Sequence, residues 1–505
     1  MRPDDHSELA QPSPGLMIES LRAFGYDLRT ALADLIDNSI AARARNVWID
    51  AVWRGRDSMI SVTDDGRGMT PRELLDAMRL GCRGPLSPRD PRDLGRFGLG
   101  LKTASFSQCR RLTVYSRAAQ DSCIEARCWD LDFVTECDEW RVLKKGTEAA
   151  DERSQRLRSL PTGTAVVWEV LDRVVGDADT NNEAARDHFL AGLDGVKQHL
   201  SMVFHRFLAG PEALAITLNE REVKAWDPFL QNDSATQRLP RELLLGCGGE
   251  IVVTPFVLPH HSKISAGTHT LAAGPKGWNA HQRFYVYRNR RLLVPGDWLR
   301  LGMQKEEHYK LARIMLDIPN SMDSHWSLDV RKARAVPPAE LRADLRRIAK
   351  LTRQDAAGVY RHRGKALARA AAQAYVFVWE RKLKHGKVFY RINRSHPLVK
   401  RVFAAPTDIR DKAKALLRLL EETVPLPLIV IDSSEQPDRH ASPFEGSPAD
   451  EMLAVVRAVY ESLTAQGVPP EEAAERLLAM EPFSRYPEQI AAFLDSLPHP
   501  GEEMP

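Results

Sequence analysis

The chain has 505 residues, 43% hydrophobic and 28% charged, with a net charge of +3, the balance of a soluble globular protein long enough for roughly three domains. No apolar run approaches the roughly 20 residues needed to cross a bilayer, and Met1–Pro14 is polar and acidic, without the basic-then-apolar layout of a secretion signal. These patterns argue against a membrane or secreted class and make a cytoplasmic location the expectation.

Residues 27–45 predict a helix, because Leu28, Leu32, Leu35 and Ile36 recur at helical spacing. The run 46–54 alternates as a strand, with Val47, Ile49, Ala51 and Trp53 on one side. Residues 59–69 read as a short strand running into a glycine turn, and 71–81 as a helix opened by Pro71, which suits a first turn. The stretch 81–94 is rich in Pro, Gly and charge and reads as a mobile loop. A glycine loop feeding a helix follows at 95–109, then strands at 110–117, 123–131 and 163–171. This order is not an alternating βαβ pattern. It predicts an α+β fold, a two-layer sandwich over 15–175 with one mixed sheet and helices on one face, behind a flexible terminus at 1–14.

After the polar linker 176–187, residues 185–338 predict a second, α/β domain, with a helix at 188–208 and strands at 214–220, 250–258 and 283–294. Residues 339–403 read as a basic helical region: 341–400 holds 16 Lys and Arg against 3 Asp and Glu. Residues 404–505 read as an acidic, mainly helical region, with 15 acidic and 4 basic residues over 431–505 and one strand-like run at 425–432. The six cysteines form no C-x-x-C pair, and no histidine lies near Cys123, Cys128 and Cys137, so reduced thiols are expected rather than zinc.

Three short patterns carry chemistry. Asp34 and Asn38 are four residues apart and share a helix face. An amide oxygen there suits Mg²⁺, and a carboxylate can hold or deprotonate a water, although D-x-x-x-N alone is more often a solvated stripe. Asp64, at a strand end before Asp65-Gly66-Arg67-Gly68-Met69, can accept a hydrogen bond from an adenine amino group while the glycines let a flat base approach. The plainer reading of that piece is a D-G turn. Gly95-Arg96-Phe97-Gly98-Leu99-Gly100-Leu101-Lys102 permits a tight loop whose amides point at phosphate ahead of a helix, and its spacing is not the Rossmann one.

Together, in order and spacing, the patterns resemble the GHKL superfamily of gyrase B-type subunits, heat-shock chaperones, histidine kinases and MutL. ADLIDNSIAARA is similar to the N-box, TDDGRGM to the first glycine box and GRFGLGLKTAS to the second. PTGTAVVWEV, with Gly163 and Thr164, resembles the later G-T strand that supports the adenine pocket. The resemblance implies a site for ATP and Mg²⁺. Asn38 would be the metal ligand, Asp64 the adenine anchor, and Asp34 the residue assisting hydrolysis. Gly95, Arg96, Phe97, Gly98, Leu99, Gly100, Leu101 and Lys102 would wrap the phosphates under a lid at 81–94, with Ala42, Gly66, Gly68, Met69 and Thr164 completing the pocket. The hydrolytic branches usually carry glutamate where this chain has Asp34, one methylene shorter, which implies slow turnover.

The second unit resembles the transducer of MutL, gyrase B and MORC-type ATPases, in which a lysine reaches the γ-phosphate. Lys332 is the favoured candidate and Lys305 the other. The segments YVYRNRRLL, GDWL and LDVRKAR resemble prokaryotic MORC-like and MutL-like ATPases, which act on DNA in defence or repair. The expectation is a nucleotide-driven clamp that dimerises on ATP, meets DNA through 341–400, and works with partner subunits and no membrane. A protein-remodelling chaperone and a nucleotide-switched scaffold without hydrolysis remain open.

Overall fold

A computed structural model of the chain describes residues 12–81, 100–246, 249–326, 335–425, 429, 444 and 449–496, apart from 24, 120–121, 323–324, 375–377, 385–386, 479, 481 and 484–485. It divides into two compact units, 1–304 with 311–355, and 305–310 with 356–505.

The first unit begins with α1 (Pro14–Arg22) and α2 (Leu28–Ala41). Asp27 caps α2: its side chain accepts from Thr30 N at 2.9 Å, satisfying a donor that the first helical turn leaves open. Ala31, Leu32, Leu35 and Ile36 bury the inner face of α2. Next come β1 (Asn46–Val52), β2 (Met59–Asp64), α3 (Pro71–Met78), α4 (Gly100–Phe106), β3 (Arg111–Arg117), β4 (Glu125–Asp130), α5 (Leu131–Cys137), α6 (Glu148–Arg153), α7 (Gln155–Arg158), β5 (Gly163–Glu169), α8 (Glu183–Val203), β6 (Ala215–Leu218) and β7 (Arg221–Glu222). A reciprocal capping box between Thr70 and Glu73 starts α3.

Among the described residues these strands make one seven-stranded sheet in the order β4-β3-β5-β2-β1-β6-β7, antiparallel except where β1 runs beside β6. Strand alternation splits its side chains between two faces. Val47, Ile49, Ile60, Val62, Leu112, Val114, Val166 and Trp168 pack into the main core under α1, α2, α4 and α8. Met59, Tyr115, Ala165 and Val167 face the short α6 and α7 through Ala150 and Leu157. The expected α+β sandwich is present, but α6 and α7 also cover the second sheet face, and the domain takes in more chain than 15–175. α8, β6 and β7 follow the linker yet belong to this sheet and core, because β6 supplies the parallel partner that β1 would otherwise lack.

The second sheet, in the same unit, uses β8 (Gln237–Arg238), β9 (Glu242–Gly246), β10 (Gly249–Val257), β11 (Arg283–Arg288), β12 (Arg291–Asp297) and β13 (Ala312–Ile318), in the order β12-β11-β13-β10-β8 with β9 also on β10. Alternation again divides its faces. Phe256, Tyr285, Tyr287, Leu292 and Met315 join the first core. Ile251, Val253, Phe284, Val286, Ile314 and Leu316 pack on Leu341, Leu345 and Ile348. The last two of those lie in the first turns of a long helix (Arg342–Ala374) whose later part belongs to the second unit.

In the second unit β14 (Trp379–Lys384) and β15 (Lys387–Ile392) pair from Trp379↔Ile392 to Lys384↔Lys387. Residues 379–384 and 387–392 are thus paired strands and not part of a helical region. The β-branched and aromatic residues Val388, Phe389, Tyr390 and Ile392 suit a strand, and positive charge does not select a backbone conformation. Helices at Pro397–Phe403 and Thr407–Glu422 follow, then three at Ala449–Thr464, Pro470–Leu478 and Pro487–Asp495 around Met452, Val456, Leu477 and Ile490. No helix among the described residues is long and apolar enough to cross a membrane.

Candidate functional site

The site grows from the last two turns of α2. Asp34 and Asn38 lie one turn apart; Asp34 is 9% exposed, whereas Asn38 is open to solvent. An exposed amide oxygen one turn from a carboxylate is a hard oxygen donor of the kind Mg²⁺ takes, so Asn38 fits the metal. Asp34 has Tyr26 on one side and Gly100 on the other. Tyr26 Oη donates to its Oδ2 at 3.1 Å, and Gly100, the first residue of α4, lies so close that a Cβ there would stand 3.6 Å from the same oxygen. The last glycine of the 95–102 pattern is therefore beside Asp34.

Ser39 follows Asn38 and faces inward. Its Oγ donates to Asp64 Oδ2 at 2.8 Å, which joins α2 to the end of β2. Asp64 Oδ1 accepts from Gly66 N at 2.9 Å. Burial pushes the Asp64 carboxyl up to about 6, against the opposite pull of the Gly66 amide and the Ser39 hydroxyl. The neighbouring Asp65 does different work: its Oδ1 accepts from the Arg45 and Asn46 amides, each at 2.8 Å, fastening the α2–β1 connection.

Across the sheet Asp64 pairs with Thr164. Thr164 Oγ1 lies 3.0 Å from Ser116 Oγ, which also accepts from Met69 N at 2.8 Å. The glycine turn is thereby tied to β3 and β5. Gly68 has φ +65°, and a Cβ there would stand 1.8 Å from Arg117 O, so this close approach needs glycine. Ala42 ends α2, and its carbonyl accepts from Arg67 N at 3.0 Å.

These contacts gather Asp34, Asn38, Ala42, Asp64, Gly66, Gly68, Met69, Gly100 and Thr164 around the C-terminal half of α2 and the ends of β2 and β5. Leu101 is half-buried beside them in α4. Lys102 is buried, and its Nζ donates to Ala77 O at 2.8 Å, near the C-terminal end of α3. Gly95, Arg96, Phe97, Gly98, Leu99, the stretch 82–94 and Lys332 lie outside the described residues. Lys305 is described and exposed. Tyr26, Ser39 and Ser116 are additions to the expected set. A serine at Ser39, four residues after Leu35 on the buried face of α2, is the one signal the sequence offers for them.

In the basic segment, several arginines are engaged within the first unit. Arg342 Nε donates to Pro337 O and Arg346 Nε to Leu301 O, each at 3.2 Å. Arg347 pairs with Glu242, and the Arg353 guanidinium lies 5.4 Å over the Trp298 ring. Among the described residues no group of three or more His, Cys, Asp or Glu side chains is arranged to hold a metal ion.

Residues 26–164 match the sequence model of the histidine kinase-, DNA gyrase B-, and HSP90-like ATPases. The chain is 30% identical over 115 residues to the ATPase morc-1 of Caenorhabditis elegans, covering 23% of this chain and 13% of that protein. It is 29% identical over 192 residues to the DNA mismatch repair protein MutL of Rhodospirillum rubrum, covering 38% of this chain and 26% of that protein. The similarity thus spans about an eighth and about a quarter of the two relatives. A solved structure of the N-terminal domain of a DNA repair protein aligns with 70% of this chain and 99% of its own length, at 15% identity and a TM-score of 0.40.

Proposed function

We propose, from the premise that residues 26–164 belong to the GHKL ATPases in their MORC and MutL type, that this chain binds ATP and hydrolyses it slowly as a dimeric clamp on DNA. The observation that carries the reading is the meeting of Asp34, Asn38 and Asp64 on one helix end and one strand end, with Gly100 against Asp34.

Each residue then has a role. Asp64, ionised at neutral pH, accepts from the adenine amino group. Gly66 and Gly68 allow the base to lie against the backbone. Mg²⁺, when bound, neutralises phosphate charge, and the Asn38 amide oxygen would hold it. Asp34 orients a water and takes its proton as the water oxygen bonds to the γ-phosphorus. The bond from phosphorus to the β–γ bridging oxygen breaks, leaving ADP and inorganic phosphate. Gly95–Leu99 and a lysine, Lys332 before Lys305, are assigned to the phosphates by the family pattern.

DNA as client is supported by 16 Lys and Arg against 3 acidic residues over 341–400, and by the repair role in the name of the MutL relative. Arg342, Arg346 and Arg347 are occupied within the chain. Charge reversal for a DNA test is placed on Arg361, Arg363, Lys365 and Arg369, further basic residues of the same segment.

The test is ATPase activity with and without duplex DNA, on wild type, Asp34→Ala and Asn38→Ala. Wild type turns over ATP and is stimulated by DNA; Asp34→Ala binds ATP without hydrolysing it; Asn38→Ala loses both. An inactive wild type ends the enzyme claim, and an active Asn38→Ala ends the site assignment. ATPase activity indifferent to DNA would point to a protein client.

A further inference from the structure

We propose that Tyr26 is a positioning residue for Asp34: its hydroxyl fixes the carboxylate that takes the proton from water, and so sets turnover without contributing to nucleotide affinity. The inference rests on the hydrolytic reading of the site. Tyr26 Oη donates to Asp34 Oδ2 at 3.1 Å, with Tyr26 7% and Asp34 9% exposed. A bond in such surroundings is shielded from competing water and holds its geometry.

The tyrosine is itself anchored. Gln108 Nε2 donates to Tyr26 O at 2.8 Å and to Ser107 Oγ at 2.9 Å, and Gln108 is 3% exposed. Gln108 lies just beyond α4, whose first residue, Gly100, stands against the same Asp34 oxygen. One short stretch, 100–108, therefore meets the carboxylate twice: Gly100 lies beside Oδ2, and Gln108 at the other end holds the tyrosine that bonds it.

Aspartate has two side-chain torsions, χ1 and χ2. The buried helix face limits the first, and a donor on one oxygen limits the second. A carboxylate that reaches a water through so short a stem depends on its plane being fixed, because misplacement by about 1 Å costs about a hundredfold in rate. Phenylalanine at position 26 would keep the ring and remove the hydroxyl that bonds Asp34.

Steady-state ATPase assays and calorimetric titration with Mg–ATP, on the full chain, test this. Tyr26→Phe should lower kcat by about 10- to 100-fold and change the ATP dissociation constant by less than about threefold. Gln108→Leu, which frees the Tyr26 backbone, should lower kcat by a smaller factor with the same unchanged affinity, and it serves as the second variant if Tyr26→Phe is poorly folded. In an Asp34→Glu background the longer carboxylate extends past the phenol, so adding Tyr26→Phe should cost less than about threefold. Tyr26→Phe at wild-type kcat overturns the proposal. So does an equal loss in the Asp34 and Asp34→Glu backgrounds, which would mark a purely structural role. A wild type that binds Mg–ATP without hydrolysing it overturns the proposal and leaves the binding site standing; one that binds no nucleotide overturns both.

Discussion

Asp64 carries a pH dependence that separates the free protein from the nucleotide-bound one. Its folded carboxyl titrates at about 6, above the ordinary 3.8, because burial disfavours the charge. In the free protein its contribution to stability is therefore complete below about pH 4 and is lost as pH rises through about 6. With Asp64 in its proposed role, adenine binding runs the other way, since the amino group needs the ionised acceptor. ATP affinity should fall by about fourfold between pH 7.5 and 5.5 if only the ionised form binds. Calorimetric titrations of wild type and Asp64→Asn decide the matter. The variant binds more weakly and shows no such step, whereas an equal step in both would assign it to the phosphates of the nucleotide. Asp64 was readable from the sequence as an acid at a strand end, and Asp34 with Asn38 from helical spacing. Tyr26 was not, because it precedes the helix by two residues and meets Asp34 only through the fold.

Elements set what these residues can do. The glycine turn after β2 passes under the end of β3, and Gly68 takes φ +65° there with no room for a Cβ. Gly68→Ala should cost about 1–2 kcal/mol for the left-handed backbone and more for the collision with Arg117 O. It should also displace Met69 from Ser116 and abolish ATP binding. Gly81 is the control: it has φ +72°, and no described atom lies within 4 Å of where a Cβ would stand, so Gly81→Ala should cost only the backbone term. Urea unfolding of both variants gives the comparison, and equal losses would show that the close approach is unimportant. Elements with strong local signals, such as α2 behind Asp27 and α3 behind Thr70, were legible in the sequence. The pairing of β6 onto β1 and that of β14 with β15 were not, since the first is a tertiary choice of partner and the second was masked by its charge.

At the scale of the molecule, the helix that carries Asp34 and Asn38 is bolted to the second sheet. Arg291, at the start of β12, donates from Nε to Asp37 Oδ1 at 3.0 Å, with the two side chains 6% and 3% exposed. Its guanidinium lies 4.5 Å over the Phe204 ring at the end of α8. A charge pair in such a place is costly to break from one side, because the buried partner loses its counter-charge. Arg291→Met should therefore destabilise the protein by about 3–5 kcal/mol, while Asp37→Leu combined with Arg291→Met should recover much of that loss. Asp37 immediately precedes Asn38, so the same break should also weaken Mg–ATP binding, and the double variant should restore stability more fully than affinity. Thermal unfolding with and without Mg–ATP measures both quantities. If Arg291→Met unfolds within about 1 kcal/mol of wild type, the pair does not tie α2 to β12, and the apolar contacts of α8 hold the two together instead.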